Sequence, residues 1–471
     1  MTTVLLVVGG SLFALVLLLF GVALLWYRRR RGLLEPPPIA WRWRLVCAVM
    51  ELVGAHKAPP TDAQLEGQVN QRLAKLGLSW QVPARSELSW LWELIELGRK
   101  ESLPHLTGMG RVVEWGNWRE RLQSASCVHH YLKEHPEVAE IELGTDPIVV
   151  TGMARAGTTA LWEYLRSDPC ARPLFWHEIA FAAPPGSKRA DPQKSGPEHA
   201  PADWVANMAM THHLFPRMVA SHSGAFDRAY EFIEEELQIV LQSYFFEQMS
   251  ARASPYQLLR DPDSPLLHQV PDMLFTTMRL ASINNPPVAG GHWCFKSVSA
   301  GLFLPRLVQQ FPDGLYVQLW RDPVSCALSL ANLMSDKYAH KVRDLSREAL
   351  AIEMGWFQYN IEMLLRHRAA LSEEDDRRLF LDLRFEDFIA DPRAVVRTIY
   401  DQAGKTVTPA FEHALDAQIG ERERRQATRS HLSRYSAERF GVDADEMRSS
   451  YRAMFQDAAP AHLRDWLLQL V

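Results

Sequence analysis

Cysteine is scarce in this chain of 471 residues. The five present (Cys47, Cys127, Cys170, Cys294 and Cys326) are odd in number and widely scattered, with no Cys-x-x-Cys pair. That excludes a disulfide framework and a thiolate zinc site. There is no Asn-x-Ser/Thr sequon either. Both absences fit a domain that works in a reducing, cytosolic space. A strong charge bias is also lacking: the formal net charge is −5. No nucleic-acid partner is therefore expected, and any anion site must be local. The remaining composition, 47% apolar and 23% charged, is ordinary for a globular protein. The length allows two or three average domains, or one large α/β domain with additions.

No basic residue precedes the apolar run from Val4 to Trp26, in which Ser11 is the only polar side chain. As a helix this run measures roughly 34 Å, against a hydrocarbon core of about 30 Å. Arg28 to Arg31 follow at once. A cleavable signal would carry its positive charge before the apolar run. The pattern predicts a single-pass membrane anchor with the N-terminus outside and everything after Arg31 in the cytoplasm. A lumenal domain would require the opposite bias. Residues 1–31 are thus read as a transmembrane anchor with its basic flank, and 32–140 as a linker and helical N-terminal region. In the latter, Pro36 to Pro38 form a stiff spacer, and Trp41 and Trp43 lie among arginines suited to the headgroup layer. Apolar spacing predicts helices over Ser86 to Lys100 and Trp118 to Glu134.

A lysine is missing where one would complete a familiar motif. Ile148 to Thr151 is a short β-branched run, followed by a glycine-bounded loop from Gly152 to Gly157 and a helical pattern opening at Thr158-Thr159. The spacing is nearly that of the phosphate loop G-x-x-x-x-G-K-[ST]. Thr158 stands in the lysine position, and a cation, Arg155, sits inside the loop instead. Loop amides and a helix N-terminus still suit a phosphate-like anion, but not the terminal phosphates that a nucleotide kinase grips with its lysine.

The rest of residues 141–471 reads as an α/β domain: a P-loop-like parallel sheet flanked by helices, with a helical insertion at about 184–290 and a helical C-terminal cap. Ser167-Asp168-Pro169 stops the first helix. A proline-rich surface loop spans Pro184 to Asp203, and Val205 to Ser250 is mostly helical. The pair His212-His213 has no Asp, Glu or Cys at ligand spacing and reads as helix surface; no metal is expected. His292 to Lys296 is a strand ending in Lys296-Ser297, and Leu315 to Trp320 is another ending in Arg321-Asp322-Pro323, with Pro323 opening a helix that carries Ser329. Leu379 to Leu383 forms a further strand. Strands alternating with helices place ligands at the carboxyl ends of a parallel sheet.

These residues, in this order, resemble the sulfotransferases that use 3′-phosphoadenosine 5′-phosphosulfate (PAPS), in particular the bacterial branch. Ala154-Arg155-Ala156-Gly157-Thr158-Thr159 resembles the 5′-phosphosulfate loop. Lys296-Ser297 resembles the family's Lys-Ser or Lys-Asp element. Phe311-Pro-Asp, the following strand, Arg321-Asp-Pro and Ser329 resemble the 3′-phosphate motif. Arg384-Phe-Glu-Asp-Phe with Asp391-Pro, and His431 to Tyr435 with Phe440-Gly441, resemble its closing landmarks. Ala154 and Ala156 depart from the usual Pro and Ser/Thr and remove one hydroxyl. The resemblance spans Pro147 to Gly441.

It implies transfer of a sulfuryl group from PAPS to a hydroxyl acceptor by an in-line mechanism that needs no metal; the anchor, not the resemblance, suggests a lipid or other amphiphile as that acceptor. Arg155, the loop amides of Ala156 and Gly157, and the Thr158 and Thr159 hydroxyls would hold the 5′-phosphosulfate. Arg321 and Ser329 would hold the 3′-phosphate, and Lys296 would polarise the transferring oxygens. A glutamate or histidine shortly after the first helix would be the general base. Here Trp176-His177-Glu178 leaves both His177 and Glu178 open; Glu178 is preferred because a carboxylate is the commoner choice in this branch. Two other functions compete: an ATP-dependent phosphotransferase, for which no Walker B aspartate stands out, and a membrane-tethered, non-catalytic nucleotide-binding protein.

Overall fold

The computed structural model describes residues 58–144, 146–174, 178–179, 182–183, 259–338, 347–428 and 437–471. Several expectations fall outside these residues: the apolar run from Val4 to Trp26 and its flank, the loop 184–203, the helical stretch 205–250 with His212-His213, His177, and His431 to Tyr435. Among the described residues, no helix is long and apolar enough to cross a membrane.

The centre is a five-stranded sheet, parallel at every pairing. Its strands are β1 (Ile148–Gly152), β2 (Ala171–Arg172), β3 (His292–Lys296), β4 (Leu315–Trp320) and β5 (Phe380–Arg384), in the spatial order β2-β3-β1-β4-β5. β1, β3 and β4 are buried along their whole length. This is why they read as mostly apolar runs without alternation, broken only by the buried Thr151, His292, Lys296 and Gln318. β1 lies in the middle, pairing Ile148 with Cys294 on one side and with Leu315 on the other. The chain leaves β1 toward the β2 edge and leaves β4 toward the β5 edge. The crevice at the carboxyl ends of β1 and β4 is therefore the switch point, where such sheets bind ligands.

Helices α1 (Asp62–Lys75), α2 (Ser89–Leu97) and α3 (Gly108–Glu134) precede the sheet. α1 opens on a capping box between Thr61 and Gln64. The helix expected over Ser86 to Lys100 begins at Ser89, and after Leu97 it widens into a π-turn over Gly98–Ser102. α3 starts ten residues before the expected Trp118, because Thr107 Oγ1 accepts a hydrogen bond from the Gly110 amide (3.0 Å) and caps the helix there. The two-residue strand β2 was not anticipated. It is too short to show a period.

Around the sheet run α4 (Thr158–Leu165), α5 (Leu266–Asn284), α6 (Ala300–Gln310), α7 (Pro323–Tyr338), α8 (Arg347–Ala369), α9 (Glu373–Leu379), α10 (Phe385–Ala390) and α11 (Pro392–Gln402). They are followed by α12 (Pro409–Thr428), α13 (Ala437–Phe440), α14 (Ala444–Ala458) and α15 (Ala461–Leu468). α4 packs on β3, where Trp162 Nε1 donates to the Cys294 carbonyl (3.3 Å). α6 crosses α8 at Gly301, where a side chain would lie 2.3 Å from the Asn360 carbonyl.

The far side of β5 is held by a buried ionic cluster. Arg368 on α8 is 1% exposed. It donates to both oxygens of Asp376 (2.8 Å each) and of Asp382 (2.8 Å each). Trp320 Nε1 also donates to Asp382 (2.7 Å), and His462 on α15 lies 3.0 Å from Asp376. Burial works against the guanidinium charge, but the two carboxylates outweigh it and push its pKa up. Removing one partner of such a buried group typically costs about 3–5 kcal/mol. The cluster thus binds β4, β5, α8, α9 and the last helix together.

Candidate active site

β1 ends in Gly152, whose φ is +140°; a Cβ there would lie 2.5 Å from the Leu319 carbonyl of β4. Only glycine allows this approach, and it sets the loop Gly152 to Gly157 directly against the end of β4. The loop closes on itself as the Ala156 amide donates to the Met153 carbonyl (3.0 Å). Ala156, expected among the ligand-facing amides, is fully buried with its N–H in this turn. Gly157 then adopts a left-handed conformation (φ +93°) and serves as the N-cap of α4. A Cβ on Gly157 would come within 3.0 Å of the Phe385 ring. Beyond it the first amides of α4 lack intrahelical acceptors, so the N-terminus is a site for negative charge.

Arg155 is the one non-glycine residue with positive φ (+72°) among those described. Such a backbone is disfavoured and persists where the surroundings hold it. Here Arg321 supplies the restraint: its Nη1 donates to the Arg155 carbonyl (3.2 Å). The Arg155 side chain in turn donates from Nε to Ser329 Oγ on α7 (3.1 Å). On the other side of the loop, the buried Lys296 at the end of β3 donates from Nζ to Thr159 Oγ1 (3.1 Å). Arg155, Gly157, Thr158, Thr159, Lys296, Arg321 and Ser329, which come from three separate stretches of sequence, therefore form one continuous site. It is cationic within a chain of net negative charge.

Three neighbours had no role assigned from sequence. Phe385, the first residue of α10, lies under the Arg321 guanidinium (4.4 Å to the ring centroid) and against Gly157. Cation–π contact of this kind fixes the fork without neutralising it. Arg439 on α13 donates to Asn332 Oδ1 (2.9 Å), one turn beyond Ser329 on α7. Asp322 caps α7 by accepting from the amides of Val324 (3.1 Å) and Ser325 (3.3 Å). The signal for Phe385 was its place immediately after a strand, at the carboxyl edge of the sheet.

Glu178 is fixed by a residue outside this cluster. Its carboxylate receives two hydrogen bonds from Arg172 at the end of β2 (2.6 and 3.1 Å). Arg172 also donates to the Asn285 carbonyl (2.8 Å) and lies over the ring of Trp293, its register partner in β3. Glu178 and Ile179 are helical. Cys326, just inside α7, is no nucleophile: burial pushes its thiol up to about 12.

A sulfotransferase family model matches residues 147–409. The fold is similar to crystal structures of two mycobacterial sulfotransferases. For STF1 of Mycobacterium tuberculosis H37Rv the identity is 20%, with 83% of this chain and 98% of that chain covered and a TM-score of 0.62. For STF9 of Mycobacterium avium the identity is 19%, the coverage 85% and 97%, and the TM-score 0.65. No curated protein sequence matches the chain significantly.

The Gly152 contact makes a direct prediction. Gly152→Ala should lower stability by more than about 2 kcal/mol, because both its φ and the Leu319 carbonyl oppose a side chain. Gly116→Ala, inside α3 where the nearest atom to an added Cβ is Arg119 Nη2 at 4.0 Å, should instead raise stability by about 0.5–1 kcal/mol. Urea unfolding of the two variants checks this; equal effects would remove the constraint from the site.

Proposed function

The chain belongs to the sulfotransferase family, and from that premise we propose that it moves the sulfuryl group of PAPS to a hydroxyl acceptor at the Arg155–Arg321 site. The observation that carries this reading is the link between the two anion-binding stretches. Arg155 in the loop donates to Ser329, and Arg321 donates to the backbone of Arg155. A ligand with negative charge at two ends suits this arrangement better than one with a single polyphosphate tail. In it the α4 N-terminus and Arg155 take the 5′-phosphosulfate, and Arg321 and Ser329 take the 3′-phosphate.

In the transfer, the acceptor oxygen bonds to sulfur while the bond from sulfur to the bridging phosphate oxygen breaks. The electron pair stays on that oxygen, and the hydroxyl proton passes to a base. Lys296, positioned by Thr159, offsets the charge that grows on the bridging oxygen. For the base we take Glu178: Arg172 fixes its carboxylate at the end of β2, the strand beside the one that ends in Lys296. The same pairing favours a second reading, since an arginine-bound carboxylate is a weaker base. Glu178 would then anchor the segment and the adjacent His177 would take the proton. The apolar run from Val4 to Trp26 and the arginines after it support a catalytic domain tethered on the cytoplasmic face, near amphiphilic acceptors.

The nucleotide product, 3′-phosphoadenosine 5′-phosphate (PAP), should stabilise the protein thermally without magnesium. Arg321→Ala should weaken PAP more than adenosine 5′-phosphosulfate, which lacks the 3′-phosphate, by about 1.5–3 kcal/mol for the lost charge-assisted contact. Equal losses for both nucleotides would remove Arg321 from the 3′ end. Glu178→Gln should lower kcat on the order of 100-fold with PAP affinity unchanged. If His177→Asn alone does so, the histidine is the base. For the tether, protease added to intact cells should leave the catalytic domain whole; digestion from outside would reverse the orientation.

A further inference from the structure

The turn that follows Lys296 is buried throughout, from Lys296 itself to Ala300. Its backbone polar groups therefore depend on partners from elsewhere in the fold. The Ser297 amide donates to the Val150 carbonyl of β1 (2.8 Å), and the Ser299 amide to Ser297 Oγ (3.2 Å). The Leu302 amide donates to the Ser299 carbonyl (3.3 Å) as α6 begins. The Val298 carbonyl is left outside both the sheet and the helix. Asn360, buried near the middle of α8, supplies its donor through Nδ2. A second side chain of α8 does the same three residues further on. Pro305 lies inside α6 and has no amide hydrogen, so the Gly301 carbonyl four residues before it loses its helical donor. His367 Nδ1 lies 3.0 Å from that carbonyl. A carbonyl only accepts, so Nδ1 carries the hydrogen. Asn360 and His367 are seven residues apart, about two turns, and so share one face of α8.

The Asn360 amide does not serve stability alone. Its Oδ1 is buried without a hydrogen-bond partner among the described residues, and an unpaired buried oxygen opposes folding. What the side chain achieves is local: it holds a carbonyl two residues from Lys296. We infer that Asn360 is a positioning residue for Lys296. β1 holds the Ser297 amide and α8 holds the Val298 carbonyl, so the backbone at the end of β3 is clamped from two sides. The clamp keeps the lysine Nζ at Thr159 Oγ1 (3.1 Å), in the first turn of α4. Asn360 acts through the turn, not on the substrate. The inference rests on the role given to Lys296 above and adds that α8, the helix whose far end carries Arg368, enforces that role.

The test is a double-mutant cycle on the full chain, with PAPS and PAP binding measured by isothermal titration calorimetry. PAPS carries the sulfuryl group assigned to Lys296, and PAP lacks it. Lys296→Met should therefore weaken PAPS more than PAP. Asn360→Leu, which keeps a branched side chain and removes the donor, should weaken PAPS by about five- to tenfold and leave PAP within about twofold. Added to Lys296→Met, it should change PAPS affinity by less than about twofold, because its effect passes through the lysine. A PAPS loss that adds in full to that of Lys296→Met, an equal loss for PAPS and PAP, or no loss at all overturns the positioning role. If Asn360→Leu does not fold, Asn360→Ala takes its place in the cycle with the same expected outcomes. Two further results bear on the underlying reading. Equal weakening of both nucleotides by Lys296→Met removes Lys296 from the sulfuryl group, and Asn360 with it. Failure of the unsubstituted chain to bind PAP overturns the PAPS reading as a whole, this inference included.

Discussion

The Leu319 carbonyl passes so close to Gly152 that no side chain fits between them. That backbone approach is the constraint on which the site depends. Leu319 precedes Arg321 by two residues, and Gly152 precedes Arg155 by three, so closing β1 onto β4 carries both cations into the same crevice. Arg155 can then hold a left-handed backbone, which costs roughly 1–2 kcal/mol on its own, because Arg321 is within reach of its carbonyl. A wider gap at Gly152 would lose both the arginine pairing and the seat of Phe385 against Gly157.

Two kinds of charge management coexist in this protein. At the crevice the guanidiniums of Arg155 and Arg321 are bound to neutral oxygens and, for Arg321, to an aromatic face. These contacts hold the two guanidinium groups at the carboxyl ends of the strands without burying them in a carboxylate pair. Behind β5 the arrangement is the opposite: Arg368 is matched against two aspartates and sealed from water. The first arrangement is suited to binding and the second to holding strands in register. Trp320 joins them, since its indole donates to Asp382 on one side while its backbone leads directly into Arg321 on the other.

The sheet and most of the site were readable before the structure because both are written in local patterns. The buried parallel strands read as short, mostly apolar runs, and Gly157 and Pro323 mark where helices begin, so Arg155 and Arg321 could be placed at strand ends. What was not readable depends on contacts across the chain. Nothing in the spacing of Arg172 and Glu178 announces an ion pair, because six residues correspond to no regular period outside a helix. Asn360 had a faint signal: it is a polar residue on the same helical face as Trp356 and Leu364. Its partner, the Val298 carbonyl, lies far off in sequence. The early start of α3 was hidden because Thr107 is an ordinary threonine until its hydroxyl is seen bonded to Gly110.

The strand order also governs how the chain can come together. β1, the central strand, is synthesised first, yet its two flanks must wait for Cys294 and its neighbours and then for Leu315 and its neighbours. Until both have emerged, β1 offers two unpaired edges, a template for wrong partners as well as right ones. The lock on the opposite side closes later still, since His462 from the final helix completes the environment of Asp376. Assembly of this domain is therefore dominated by long-range pairings, the slow and aggregation-exposed regime of folding. The burden on the cell is greatest while the polypeptide is still unfinished: chaperone supply, rather than the stability of the finished fold, should set how much of it accumulates.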